Sequence, residues 1–156
     1  MSINNDNDSE NDSETMELLQ SALDNEENSY IMNLTSEKIE EIKNNMIEEL
    51  QLSEDYEDEI LEKLEDYVYI DEIPHFKCGS YIRWINLLNP NEIRLKSGAT
   101  ICDIELREGG TYVICKNNYG RRNTCFQLKV DENLIFRKLN NQEKVLLSVM
   151  NYLKKN

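Results

Sequence analysis

Histidine, proline and glycine are scarce in this 156-residue chain, which holds one His, two Pro and five Gly. A lone histidine, His75, rules out a two-histidine metal motif, and with no orienting acid identifiable beside it no Ser-His-Asp or Cys-His arrangement can be assembled. The glycines match neither a phosphate-binding P-loop nor a dinucleotide fingerprint, so no nucleotide cofactor is expected. No apolar run approaches the roughly 20 residues that a membrane-crossing helix needs. The opening MSINNDNDSENDSE lacks the basic flank and apolar stretch of a secretory signal. These absences lead to the expectation of a soluble intracellular protein, of the cytoplasm, the nucleus or the interior of a virion, with no membrane partner.

Cysteine is present but unpatterned. Cys78, Cys102, Cys115 and Cys125 are 24, 13 and 10 positions apart, with no CxxC pair to pre-set two zinc ligands. Free thiols packed as small hydrophobes in a reducing compartment are expected, and no metal or other cofactor.

Basic residues are also missing from one half. Residues 1–72 carry 24 Asp and Glu against 3 Lys, a formal −21, whereas residues 73–156 carry 7 acids against 14 Lys and Arg, a formal +7. The overall charge of −14 opposes wrapping of nucleic acid by the whole surface, because phosphate binding is driven by charge neutralisation and counterion release. Contact with a polyanion would be local to the second half. The first half could hold a polyanion off or imitate one.

Residues 1–13 are acidic and almost devoid of apolar side chains, so they cannot repay the entropy of ordering and are expected to be disordered when free. Residues 14–72 read as an acidic helical arm. Met16, Leu18, Leu19 and Ala22 give a short, weakly apolar helix that needs something to dock on. Thr35 serves as an N-cap, with Leu34 and Ile39 as its staple, and Ile39, Ile42, Met46, Ile47 and Leu50 follow at helical spacing. Ser53 caps a further helix whose stripe is Ile60, Leu61, Leu64, Tyr67 and Val68. Residues 35–69 are thus expected to form a helical hairpin with an acidic outer face, Glu40, Glu41, Lys43, Asn44 and Glu48 lying largely off the apolar stripe.

At Pro74 the apolar period changes from helical to alternating. Strands are expected near 78–86, 92–96, 100–107, 111–117, 123–130 and 133–138, with turns at Asn89-Pro90, Ser97-Gly98, Gly109-Gly110 and Gly120. Six short antiparallel strands leave exposed edges unless they curl, so residues 73–139 are read as a small β-barrel of SH3-like or OB-like type. Residues 140–156 form a last helix, with Asn140 as N-cap, Glu143 at N3 and an apolar face of Val145, Leu146, Val149, Met150 and Leu153. The fold class is therefore α+β: an acidic N-terminal helical hairpin, a small antiparallel barrel and a C-terminal helix.

Three groups of residues carry the functional expectation. The loop around Tyr119, Arg121 and Arg122 combines guanidinium forks with a ring that can stack on bases, and Lys116 and Lys129 on adjoining strands widen the positive surface. Tyr81 and Arg83 share a strand face and could build a cation–π surface, whereas Trp84 on the opposite side reads as a core anchor. Arg94 and Lys96 share parity and could extend positive charge along the neighbouring strand. Asp103 and Glu105 could share a face, but paired outward acids are common on sheets and no catalytic set accompanies them. The expectation is a non-enzymatic interaction subunit of a nucleoprotein or transcription-related assembly. It would bind other protein subunits, with nucleic acid or an acidic partner meeting the basic half. The alternative is a structural protein–protein module of a capsid or multiprotein scaffold.

Overall fold

A computed structural model of the chain describes residues 6–32, 34–117 and 124–155. These form two compact units, one from the described residues of Met1–Ile39 together with Leu139–Asn156, the other from Glu40–Lys138. Counted by sequence, the second unit has 20 acids against 13 bases and the first 11 against 4, so each carries a formal −7. The charge border near Asp71–Pro74 lies inside the second unit.

The first unit holds α1 (Asp6–Asp24), a 3-10 turn (Glu26–Asn28), α2 (Ser29–Met32), the start of α3 (Ser36–Glu48) and α5 (Asn141–Lys155). α3 begins where the side chain of Thr35 offers an acceptor: the Lys38 N–H donates to Thr35 Oγ1 at 3.1 Å. α5 opens with a reciprocal capping box, in which the Glu143 N–H donates to Asn140 Oδ1 (2.9 Å) and the Asn140 N–H to Glu143 Oε1 (3.1 Å). Both caps were legible in sequence because they depend only on residues three apart. α1 packs against α5, and Ala22, Ile31, Ile39, Leu146 and Leu147 are buried. Asn28, fully buried, satisfies its amide by donating to the Ala22 carbonyl (2.9 Å) and to Gln142 Oε1 (3.2 Å). Near its other end α5 is tied to the start of α3 by Asn151 Nδ2 donating to Ser36 Oγ at 2.7 Å and by Lys154 beside Glu37 at 3.4 Å.

The second unit holds the rest of α3, α4 (Glu54–Lys63) and six strands: β1 (Tyr67–Ile70), β2 (Tyr81–Asn86), β3 (Leu95–Arg107), β4 (Gly110–Asn117), β5 (Cys125–Lys129) and β6 (Asn133–Lys138). The Ser53 hydroxyl accepts from the Tyr56 N–H at the start of α4, whose first turn carries Glu54, Asp55 and Glu57 next to the positive end of the helix dipole. At the other end Lys43 is fully buried, against the expectation that it faces outward. Its ammonium donates to the carbonyls of Leu64 (2.7 Å) and Glu65 (3.4 Å), and it pairs with Glu40 at 2.7 Å. A cation set on carbonyls left over at a helix C-terminus is held by hydrogen bonds and by the dipole together, which is why this lysine tolerates burial.

The sheet has strand order β1-β6-β2-β3-β4-β5, each neighbouring pair antiparallel. It is open, with β1 and β5 at its two edges, so the expected closure into a barrel is corrected to a six-stranded sheet. Two local departures accompany this. Tyr67 and Val68 were read as the end of a helical stripe, but α4 stops at Lys63 and Tyr67–Ile70 becomes β1, in register with β6 from Tyr67↔Lys138 to Ile70↔Ile135. The segments 92–96 and 100–107 were read as separate strands. They belong largely to one continuous strand, β3, because Gly98 takes φ +90° and a bulge between Ile101 and Asp103 bends the strand without ending it.

Both faces of the sheet's β1-β6-β2 side are covered. On one, Tyr67, Ile85, Leu134 and Phe136 pack with Ile47, Ile60 and Leu64 from α3 and α4. On the other, Val68, Ile70, Ile82, Trp84 and Ile135 are buried, and the ring of Trp84 lies 5.3 Å from that of Phe126. Trp84 is thus a core anchor. This second face also holds Arg137, 1% exposed, opposite Val68 and Ile82 in register, its Nε–H donating to the His75 carbonyl at 3.1 Å.

Candidate interaction surface on strands β3 to β5

Along β4 the alternation of a half-buried strand sends Val113 and Cys115, both fully buried, to one side and Tyr112, Ile114 and Lys116 to the other. Strand register extends that outward side across the sheet. Tyr81 lies opposite Thr100, Thr100 opposite Lys116, and Lys116 opposite Cys125, a row spanning four strands. The next rows are Asp103, Ile114 and Gln127, then Glu105, Tyr112 and Lys129. Tyr81, Lys116 and Lys129, expected at a binding surface, are therefore brought to one face.

Arg107 organises the end of this face nearest the β3–β4 turn. Its guanidinium sits over the Tyr112 ring at 4.6 Å from the centroid, donates through Nη1 to Gln127 Oε1 at 2.8 Å, and clasps the Glu105 carboxylate through Nε (2.9 Å) and Nη2. The planar fork suits this simultaneous stacking and hydrogen bonding in a way a lysine could not. The turn itself requires Gly110, which has φ +138° and on which a Cβ would stand 3.2 Å from Lys129 Cε. Arg107, Tyr112 and Gln127 were not singled out from sequence. The signal available was the Gly109-Gly110 turn, which brings the residues flanking it into diagonal contact.

The electrostatics of this face are largely self-compensated. Arg107 is paired with Glu105, and Lys129 Nζ lies 3.9 Å from Asp131 and 4.0 Å from Glu132. Lys116 has no acidic partner among the described residues. Asp103 accepts the Ile104 N–H at 2.8 Å, so neither acid of the Asp103/Glu105 pair stands apart from the surrounding structure.

The remaining expected residues lie elsewhere. Arg83 stacks on Tyr67, 5.8 Å from the ring centroid, with its Nε buried and without a hydrogen-bond partner. Arg94 precedes β3, exposed, 3.9 Å from Glu92, and Lys96 is opposite Trp84 in register, on the other side of the sheet from the Tyr81–Lys116 row. Arg83 and Lys96 thus lie on opposite sides of the sheet. Tyr119, Arg121 and Arg122 lie outside the described residues, in the β4–β5 connection that the Asn117 N–H closes by donating to the Thr124 carbonyl at 2.9 Å.

Three titratable groups in this unit have shifted affinities for protons, one of them Tyr69, which burial pushes up with Asp71 and Glu49 adding to it. Burial pushes the Cys115 thiol up to about 12, with the neighbouring Cys102 adding to it, so Cys115 is a packed thiol and not a nucleophile at neutral pH. Among the described residues no three His, Cys, Asp or Glu converge as metal ligands. His75 is lowered below 6.5, chiefly by burial and further by Arg137 and Lys77, against the opposing pull of Glu72 and Asp71. A base whose pKa is lowered by folding is protonated more readily in the unfolded chain. Stability is therefore expected to fall as pH drops below about 6.5 and to level off once the folded-state pKa is passed. Thermal melts of wild type and His75→Gln across that interval should converge toward parallel behaviour at higher pH, and an identical pH slope in both would refute the assignment to His75.

Comparison with protein-family models, with curated proteins and with solved structures gives no match to this chain. Among the described residues no helix is long and apolar enough to cross a membrane.

Proposed function

We propose that the chain is a non-enzymatic interaction subunit of an intracellular nucleoprotein-type assembly, and that it meets a protein partner through the outward face of β3, β4 and β5. The observation that carries this reading is the fixed constellation of Arg107 on Tyr112, bridged to Glu105 and Gln127. Arg and Tyr dominate the energetics of protein interfaces, and side chains already held in place lose less entropy when a partner arrives. The charge balance favours protein over polyanion. Two of the three cations of this face have acidic neighbours, and the unit as a whole has a formal −7. A phosphate chain gains little from neutralising a surface already neutralised.

The nucleic-acid reading rests on Lys116 in the Tyr81 row and on Arg121 and Arg122 in the adjoining connection. One capture experiment separates the two. Full-length protein is cross-linked to its partners in cells, with and without nuclease, beside the variants Arg107→Ala with Tyr112→Ala and Arg121→Glu with Arg122→Glu. Retention after nuclease, with recovery falling about 30-fold in the Arg107/Tyr112 variant, is the expected result, corresponding to an anchor worth about 2 kcal/mol. Loss with nuclease or only with the Arg121/Arg122 variant would replace the protein reading by the nucleic-acid one.

A further inference from the structure

Four of the seven large hydrophobic side chains that stand exposed among the described residues belong to α1 and α5: Met16 (65%), Leu23 (45%), Tyr152 (68%) and Leu153 (65%). Their positions are related. Asn25 and Asn28, just after α1, donate to Gln142 in the first turn of α5, and the two helices pack on each other, which is the arrangement of an antiparallel pair. Met16 is nine residues before Asn25 and Asn151 nine after Gln142. At a rise of 1.5 Å per residue both lie about 14 Å from that junction, which sets Met16 level with the Asn151–Leu153 turn. Leu153 continues the stripe of Leu146 and Met150 at i, i+4, i+7 spacing, yet it is exposed where those are buried or half-buried. The apolar seam between α1 and α5 therefore opens to solvent at one end, and Leu23, seven residues from Met16, prolongs it along the same side of α1.

The α1 side of this seam carries one sign of charge, and Lys154, next to Leu153 on α5, lies beside Glu37 at 3.4 Å. α1 has seven Asp and Glu and no Lys or Arg, and Glu14, Glu17 and Asp24 are exposed beside Met16 and Leu23. We propose that the α1–α5 pair is a docking site for a basic amphipathic helix of a partner protein. Its leucine-type side chains would cover Met16, Leu23 and Leu153, and its lysines or arginines would face the acids of α1. A third helix laid along two antiparallel ones completes a helical bundle, and α1, with few apolar residues of its own, gains the packing that its composition does not supply. An apolar stripe bordered by acids along its α1 side favours a basic helix over an acidic one. This site is independent of the β3–β5 face.

The test uses full-length protein and a fluorescein-labelled 14-residue Leu/Lys peptide with leucines at helical spacing. Its controls are the same residues in scrambled order and a Leu/Glu peptide of identical pattern. The amphipathic Leu/Lys peptide is expected to bind at least tenfold more tightly than either control in about 0.15 M salt, as read by anisotropy. Met16→Ser with Leu153→Ser, both at exposed positions, should weaken it at least tenfold, and Glu14→Lys with Glu17→Lys at least threefold. Methyl spectra of the five methionines report the place directly, since the Met16 resonance should move on titration. Equal binding of the scrambled peptide, absence of binding, or an unchanged affinity in the Met16/Leu153 variant would overturn the proposal. So would concentration-dependent self-association abolished by that variant, which would make a second copy of this chain the occupant.

Discussion

A chain shortened to begin at Ile70 is expected not to fold cooperatively. Its acidic first half looks detachable by charge, and deleting it is the obvious way to ask whether it masks the basic half. The core shows otherwise. Ile47, Ile60, Leu64 and Tyr67 are between 0% and 8% exposed and pack directly on Ile85, Leu134 and Phe136 of the sheet. Truncating a single buried Ile or Leu costs about 2–5 kcal/mol, so losing four large side chains removes on the order of 10 kcal/mol, the scale of a whole domain's stability. The deletion also takes three of the four residues that pair β1 with β6, which exposes the edge of a strand otherwise buried from Asn133 to Arg137. Far-UV circular dichroism and urea titration should show a broad, non-cooperative response with the Trp84 emission shifted toward that of a solvated indole. A sharp transition with native-like Trp84 emission would mean that the sheet stands alone. Charge reversal at exposed acids of α3 and α4, such as Glu48 and Asp58, is consequently the better probe of masking, because it changes the field while leaving the core in place.

Arg137→Ala is expected to be among the most destabilising single substitutions, at about 3 kcal/mol or more, through the cavity it leaves and the loss of its hydrogen bond to the His75 carbonyl, which also accepts the Lys77 N–H at 3.1 Å. Arg137 is 1% exposed on a strand buried on both faces, and its Nε–H is a partner of the carbonyl that ends the 3-10 turn Ile73–His75. Arg137→Met keeps most of the stem volume and removes the charge, so it should cost clearly less than the alanine variant, in line with the modest net worth of a buried charge replaced by a packed apolar chain. Urea midpoints at constant m-value separate the two. Equal loss in both variants would place the whole effect in the guanidinium, and no loss in either would remove Arg137 from the stability of the turn.

The same residues show where local reading works. Thr35, Ser53 and the Asn140/Glu143 pair cap helices at the expected places because a cap is decided within three or four residues. β4 and β5 follow from alternation, β6 from its short run of Leu134, Ile135 and Phe136, and the outward placement of Lys116 and Lys129 follows from parity. Lys43 fails the same test: its neighbours in sequence mark it as a surface lysine, and only the carbonyls of Leu64 and Glu65, 21 and 22 residues away, make burial favourable. Tyr67 and Val68 continue a helical spacing as readily as they start a strand, and partners near residue 137 decide between the two.

By itself the sequence determined the α+β class, most of the helices and strands, the helix caps and the inward position of Trp84, all consequences of periods and spacings that a chain carries locally. Tertiary structure alone decided that the sheet is open, that α3 and α4 belong partly to its core, and that Arg107, Tyr112, Gln127 and Glu105 meet on one face. It also decided that the division into −21 and +7 is not a division between bodies, since each compact unit draws from both halves of the chain and carries the same formal −7. The reason is physical: charge is summed along the chain, but packing joins residues by the apolar surface they can remove from water, and that pairing takes no account of which half they came from.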